Sequence, residues 1–177
     1  LGTPDDMANM IGFFARDAHT LARVGEVLLP ADTTGARRVL IADDLMQRLP
    51  EAARAVIEPV VAAMIRKLGP AQPIRFYDRS PQEIYDAFRK VQSREVYDTH
   101  GAWYERFRPC LQPAIEARFV YARALKDDEV RAARAVLAGV SAHVQEVVAQ
   151  DGLCIAPVLH GPAPRLDADA ETLDLYR

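Results

Sequence analysis

Few side chains here can do covalent chemistry, and their spacing is more structural than catalytic. The serines are Ser80, Ser93 and Ser141. Ser80 precedes Pro81 and stands three residues before Glu83, the arrangement of a capping box, so its hydroxyl is committed to a helix N-terminus. Ser93 and Ser141 fall inside helical patterns, where a hydroxyl bonds a preceding carbonyl or faces water. None lies on a Gly-rich elbow that could present a nucleophile. Cys154 is followed by His160, and such a pair could make a thiolate nucleophile. A strand thiol and a loop histidine explain the same residues more simply.

The histidines (His19, His100, His143, His160) are scattered, with no His-x-x-x-His or Cys-x-x-Cys spacing, so no metal site is expected. Asp43-Asp44 and Asp127-Asp128 are adjacent carboxylates at element ends, which read as caps and solvated turns rather than paired acid and base. Gly2, Gly12 and Gly25 are too dispersed for a phosphate loop, and no cofactor is expected. Phe76-Tyr77, Tyr85, Phe88, Tyr97, Trp103-Tyr104 and Phe107 interleave with arginines as a single-stranded nucleic-acid surface would. Their helical spacing and the net charge of −3 favour packing, so no nucleic-acid partner is expected.

The elements that position these residues follow from periodicity and punctuation. Asp17 can cap a helix over about 18–29, with Leu21, Val24, Gly25 and Leu28 on one face. Arg38 to Ala42 reads as a buried strand with Asp43-Asp44 as its polar exit. Ala52, Val56, Val60, Met64 and Leu68 predict a helix over about 51–68, kinked or split at Pro59. Ile74 to Tyr77 reads as a second strand. A helix starts at Pro81 and weakens near Thr99-His100-Gly101, with a short helix from Trp103 to Arg108 beyond it. Further helices are expected from Pro113 to about Leu125 and over about 128–149, the latter capped by Asp127 and ended by Gly152 near a left-handed position. Leu153 to Pro157 is the third strand, Gly161 to Pro164 a stiff loop, and a last helix begins near 168.

This predicts a helix-rich α/β fold: a thin mixed or parallel sheet of about three strands covered by six or seven helices. At 177 residues, half of them hydrophobic, the expectation is a single domain over 1–177. No apolar run is long enough to span a bilayer and no signal peptide is visible, so the sequence reads as cytoplasmic with no membrane partner. Cys110 and Cys154 then read as two free, buried thiols. The chain opens on Leu1 and stops inside a growing helix, which suggests a piece of something longer, and a sheet this thin has edges to cover.

One resemblance spans nearly the whole chain. Ile11-Gly12-Phe13-Phe14-Ala15-Arg16-Asp17-Ala18, followed by Leu21-Ala22-Arg23-Val24-Gly25-Glu26-Val27-Leu28-Leu29, resembles the segment after the catalytic core in the amidase signature family of serine hydrolases. The order of later elements is similar: a strand at Arg38-Val39-Leu40-Ile41, Phe88-Arg89-Lys90-Val91-Gln92 leading to His100-Gly101-Ala102-Trp103, then Pro157 and Gly161-Pro162-Ala163-Pro164. Met7 to Met10, Val158 and His160 depart from the family text. The resemblance implies a parent that hydrolyses small-molecule amides with a Ser–cis-Ser–Lys triad lying upstream of the matched segment. The only lysines here are Lys67, Lys90 and Lys126, none in that context, so no catalytic residue carries over. The segment would supply scaffold and substrate-channel wall, with Phe13, Phe14, Trp103, Pro157 and His160 as channel candidates. A homo-oligomer or a complementary chain is a candidate partner. The alternative is a non-catalytic helical interaction module, or a diverged pseudoenzyme, that binds a protein partner.

Overall fold

The computed structural model describes residues 13–29, 35–159, 161–169, 172 and 173. Their elements run α1 (Ala18–Leu28), β1 (Arg38–Ala42), α2 (Asp43–Met46), α3 (Glu51–Leu68), β2 (Ala71–Ile74), α4 (Pro81–Phe107), α5 (Pro113–Ala124), α6 (Asp127–Val148) and β3 (Gly152–Ile155). They divide into two compact units, Leu1–Asp32 with Arg79–Ser141 and Thr33–Asp78 with Ala142–Arg177. Helix α6 passes from the first unit into the second.

The first unit is helical. Ser80 Oγ accepts the amide of Glu83 at 3.2 Å and Pro81 opens α4, as a capping-box start requires. The Glu83 carboxylate accepts from Arg79 Nη1 at 3.0 Å. Ala87, Val91 and Ala133 form the buried seam of α4 with α6, joined by Val136 and Leu137. Tyr104 lies stacked on Phe119 of α5 with ring centroids 4.5 Å apart, and its hydroxyl donates to Glu116. Arg94 Nη2 donates to the Leu125 carbonyl at 2.6 Å, supplying a partner for the backbone that turns between α5 and α6.

The second unit holds a parallel sheet in the order β2-β1-β3. Val39 to Ala42 pair with Ala71 to Ile74, and Arg38 to Ile41 with Gly152 to Ile155. Leu40 and Ala42 of the central strand are fully buried. Arg38 ties the last turn of α6 to the sheet: its Nη2 donates to the Val148 carbonyl at 3.0 Å and its Nε to Asp151 Oδ1 at 3.1 Å. The side chains of Arg38 and Asp151 are partly solvated, so the ion pair itself adds little.

The expected helix-rich architecture with a three-stranded sheet is borne out, with parallel pairing and six helices among the described residues. Several local expectations are corrected. The second strand covers Ala71–Ile74 rather than Ile74 to Tyr77, because the amides of Phe76 and Tyr77 go to the Asp44 carboxylate instead of a neighbouring strand. Pro73 is accommodated because β2 is an outer strand, where one side of the backbone owes no ladder bond. Helix α4 runs unbroken through Gly101, which is buried with a bare Cα against the Tyr97 ring; a Cβ there would sit 3.0 Å from it. Pro59 does not split α3. Asp127 lies in the first turn of α6. The left-handed residue after α6 is Ala149, with φ 54°, not Gly152. Gly152 is needed for another reason: a Cβ on it would meet the Val148 carbonyl oxygen at 2.1 Å. Cys110 is exposed rather than buried, since it lies between α4 and α5; both thiols are free, as expected. Of the last helix, residues 172 and 173 are described, with Asp169 Oδ1 accepting from the Thr172 amide at 2.7 Å.

Candidate functional site

The polar groups with the most organised surroundings lie at the carboxyl end of the second unit's sheet. Strand β1 ends at Ala42, and the chain turns at once into α2, which puts Asp43 and Asp44 at the strand's exit. Asp44 accepts the amide of Phe76 at 2.8 Å and that of Tyr77 at 3.2 Å. One carboxylate thus closes the end of β1 onto the segment leaving β2, in place of ladder bonds that β2 no longer offers. Its charge has effects on both sides. Burial, and secondarily the negative Asp44, push the Tyr77 phenol above its ordinary pKa. Burial and the same carboxylate also push the Cys154 thiol up. A cleft of about 410 Å³ opens here, lined by Asp43, Asp44, Gln47, Pro73, Ile74 and Arg75.

This arrangement binds backbone; it does not activate a nucleophile. A thiol held protonated beside a carboxylate is the reverse of a thiolate, which needs positive surroundings. The Cys154–His160 reading therefore loses its chemical basis on the cysteine's side, while His160 lies outside the described residues. The carboxylates of Asp43 and Asp44 are likewise committed, though not as the caps expected of them: both lie within α2, where Asp43 accepts from Gln47 Nε2 at 2.5 Å and Asp44 from the two amides.

In the first unit a cleft of about 660 Å³ is bordered by Ser80, Glu83, Asp86, Lys90, Asp128 and Glu129. Ser80 and Lys90 both border it, yet ten residues of helix, about 15 Å of rise, separate them. Ser93 and Ser141 lie within α4 and α6, and Lys67 and Lys126 lie in α3 and before α6. Lys90 and Ser93 stand three apart on α4, one helical turn and in no Gly-rich context, and no cluster of metal-ligating side chains occurs among the described residues.

Of the residues expected along a substrate channel, Phe13, Phe14 and Trp103 fall in the first unit and Pro157 in the second. Phe14 is fully exposed before α1, Trp103 is half-exposed on α4, and Pro157 is half-buried just after β3. The fifth, His160, lies outside the described residues. Sequence reasoning missed the reach of Asp44 to the Phe76 and Tyr77 amides. The signal was there only as an Asp pair following a strand; the partner segment, some thirty residues on, was not legible.

No protein-family model matches the chain. It is 23% identical to Amidase 1 of Arabidopsis thaliana over 94% of its own length and 47% of that protein's. It is also 23% identical to the pea (Pisum sativum) protein named translocon at the outer membrane of chloroplasts 64, over 88% of this chain and 31% of that one. Among solved structures, a crystal structure of an amidase superposes with a TM-score of 0.64 at 16% identity, covering 79% of this chain and 32% of the other. The chain spans about half the length, or less, of the curated relatives it matches. The resemblance read from Ile11 to Leu29 and onward is borne out at this level, and the three-stranded sheet with its helices is part of an amidase fold.

Proposed function

We propose that this chain, an amidase-signature-like partial domain, is the scaffold and substrate-channel wall of an amide-hydrolysing enzyme and lacks that enzyme's catalytic triad. One observation carries the reading. The likeness to amidases extends over almost the whole chain, yet Ser80 is spent on a cap, and Ser93 and Ser141 are set within helices, none of them on a Gly-rich elbow. In the complete enzyme a serine would attack the amide carbon, expel the amine and leave an acyl-enzyme for water to release, with backbone N–H groups holding the oxyanion. Residues 1–177 would form one partial domain, with Phe13, Phe14, Trp103, Pro157 and His160 along the channel. The substrate is a small-molecule amide, and neither metal nor cofactor is invoked.

The test is labelling of the purified 177-residue chain with a serine-reactive fluorophosphonate. No label is expected; stoichiometric labelling of any serine would overturn the reading. A cytoplasmic setting without membrane contact is part of the proposal. No helix among the described residues is long and apolar enough to cross a membrane. The pea relative's name places that protein at a chloroplast outer membrane, so fractionation of the native host tests this part directly.

A second reading, a non-catalytic module or diverged pseudoenzyme that binds a protein partner, draws on the exposed apolar residues of α1 and α3. Light scattering separates the two: a stable complex with itself or a captured chain, without hydrolysis in any combination, favours the module.

A further inference from the structure

Helix α3 has more apolar surface than its own unit covers. Its inward side presents Ile57, Val61 and Ile65, with Val61 buried. A second stripe runs beside it at steps of four, Val56, Val60, Met64 and Leu68, exposed by 71, 57, 39 and 44%. Residues four apart lie one above the other on a helix, so these form one continuous apolar band. Glu58 and Arg66 stand on the opposite side of the helix, and Lys67, three residues beyond Met64, flanks the band. The band lies on the crossover from β1 to β2, in a sheet whose two outer strands carry no further neighbour among the described residues.

We infer that the Val56–Val60–Met64–Leu68 band is a docking face, and that its occupant is the part of an amidase-type domain that this chain does not span. This rests on the scaffold reading above. Two arguments choose that occupant over a second copy of the chain. First, the fold matches one third of a solved amidase, so most of that larger domain lies outside the matched region. Second, the area is wrong for a free-standing dimer. Four half-exposed aliphatic side chains offer on the order of 200 Å², against about 800 Å² per partner in a stable interface. A band this small holds best when the covering element belongs to the same folded domain and gains the rest of its stability elsewhere.

Met64 supplies the readout. The 177-residue chain is compared with the same chain joined by a long Gly/Ser linker to the unmatched portion of Arabidopsis Amidase 1, the linker holding the two at millimolar effective concentration. Peroxide oxidation of Met64 is followed by mass spectrometry, with fluorophosphonate labelling measured on the same samples. In the chain alone Met64 should oxidise readily; in the fusion it should slow at least five-fold. Val60→Asp should leave the isolated chain as stable as before and restore fast oxidation in the fusion. Protection of Met64 already in the isolated chain, or a large loss of the isolated chain's stability in Val60→Asp, overturns the inference, because the chain's own residues then cover the band. A fusion that takes the label while Met64 stays fast overturns the docking face and leaves the scaffold reading standing. A fusion with neither label nor protection overturns both.

Discussion

Helices α3 and α4 carry the same kind of apolar periodicity and end up differently. Helix α4 buries Ala87, Val91, Glu95, Gly101 and Tyr104 along its length, and its polar side chains find partners on α5 and α6. Tyr97 and Arg123 converge on Glu105, each at 3.2 Å, and Arg94 reaches Asp127 at 2.9 Å. Helix α3 buries only Val61. Within the first unit α4, α5 and α6 therefore close around local helix–helix contacts, while α1 buries no residue. The second unit is held by parallel strands far apart in sequence. Stability in the second unit should concentrate in the few points that clamp its strands together, so single changes there should do more damage than comparable changes in the first.

The sharpest way to break that contrast is Gly152→Ala. The new methyl has nowhere to go: the Val148 carbonyl is 2.1 Å away and the Leu40 side chain 2.9 Å. The junction of α6 with β3 must shift, costing about 3 kcal/mol, the upper end of the usual range for overpacking. Gly101→Ala on α4 should cost less, because its obstacle is the Tyr97 ring, which can rotate. Urea denaturation of the two variants measures the difference; equal losses would sink the contrast.

Asp44→Ala comes next. It strands the amides of Phe76 and Tyr77, which are partly buried, at a cost of about 1–3 kcal/mol. Asp44→Asn should recover part of this, since one amide oxygen can still accept. Removing the negative charge also releases some of the pressure on the Cys154 thiol, so Cys154 should alkylate faster in Asp44→Asn than in the parent, with the exposed Cys110 as the internal standard. An unchanged ratio of the two alkylation rates would show that burial alone governs Cys154.

These points also mark how far sequence reading reached. The long amphipathic helices were legible because their signal is local: Ser80-Pro81 with Glu83, and Val130, Ala133 and Val140 on the buried side of α6, all lie within a few turns of one another. Helix α4 was underestimated at Gly101 because a glycine's value there depends on the Tyr97 ring, a packing fact rather than a propensity. Strand β2 was displaced by three residues because Ile74 to Tyr77 has the better strand composition. A carboxylate from another element captured two of its amides, and Pro73 was free to stand on an edge. The candidate site was hardest to read. Its working contacts join residues 43–47 to residues 73–77, and no short-range pattern announces such a pairing.

Ala149→Gly should act in the opposite direction. Ala149 sits at φ 54°, where a side chain costs about 1 kcal/mol and glycine costs nothing sterically. The variant should therefore be more stable by somewhat less than that amount, the added freedom of the unfolded glycine offsetting part of the gain. A loss of stability would mean that the Ala149 methyl makes a contact worth more than the strain it carries.

The smallest effect belongs to α1, which is as uncovered as α3 and is held mainly by its own start. Asp17 accepts the Thr20 amide at 2.7 Å, and that bond draws the carboxyl below its ordinary pKa of 3.8. A folded-state value below the unfolded one means the capped helix is favoured fully above the unfolded value. That advantage is lost as pH falls through the lower, folded value. Thr20 amide exchange followed from pH 6 to pH 2 should thus stay slow to about pH 4 and quicken below it, relative to the intrinsic pH dependence of exchange. In Asp17→Asn, which caps without titrating, that extra acceleration should vanish. If the parent and Asp17→Asn trace the same curve, the ionised cap is not what holds α1, and its backbone bonds, such as that from the Leu21 amide to the Asp17 carbonyl at 3.0 Å, hold it instead.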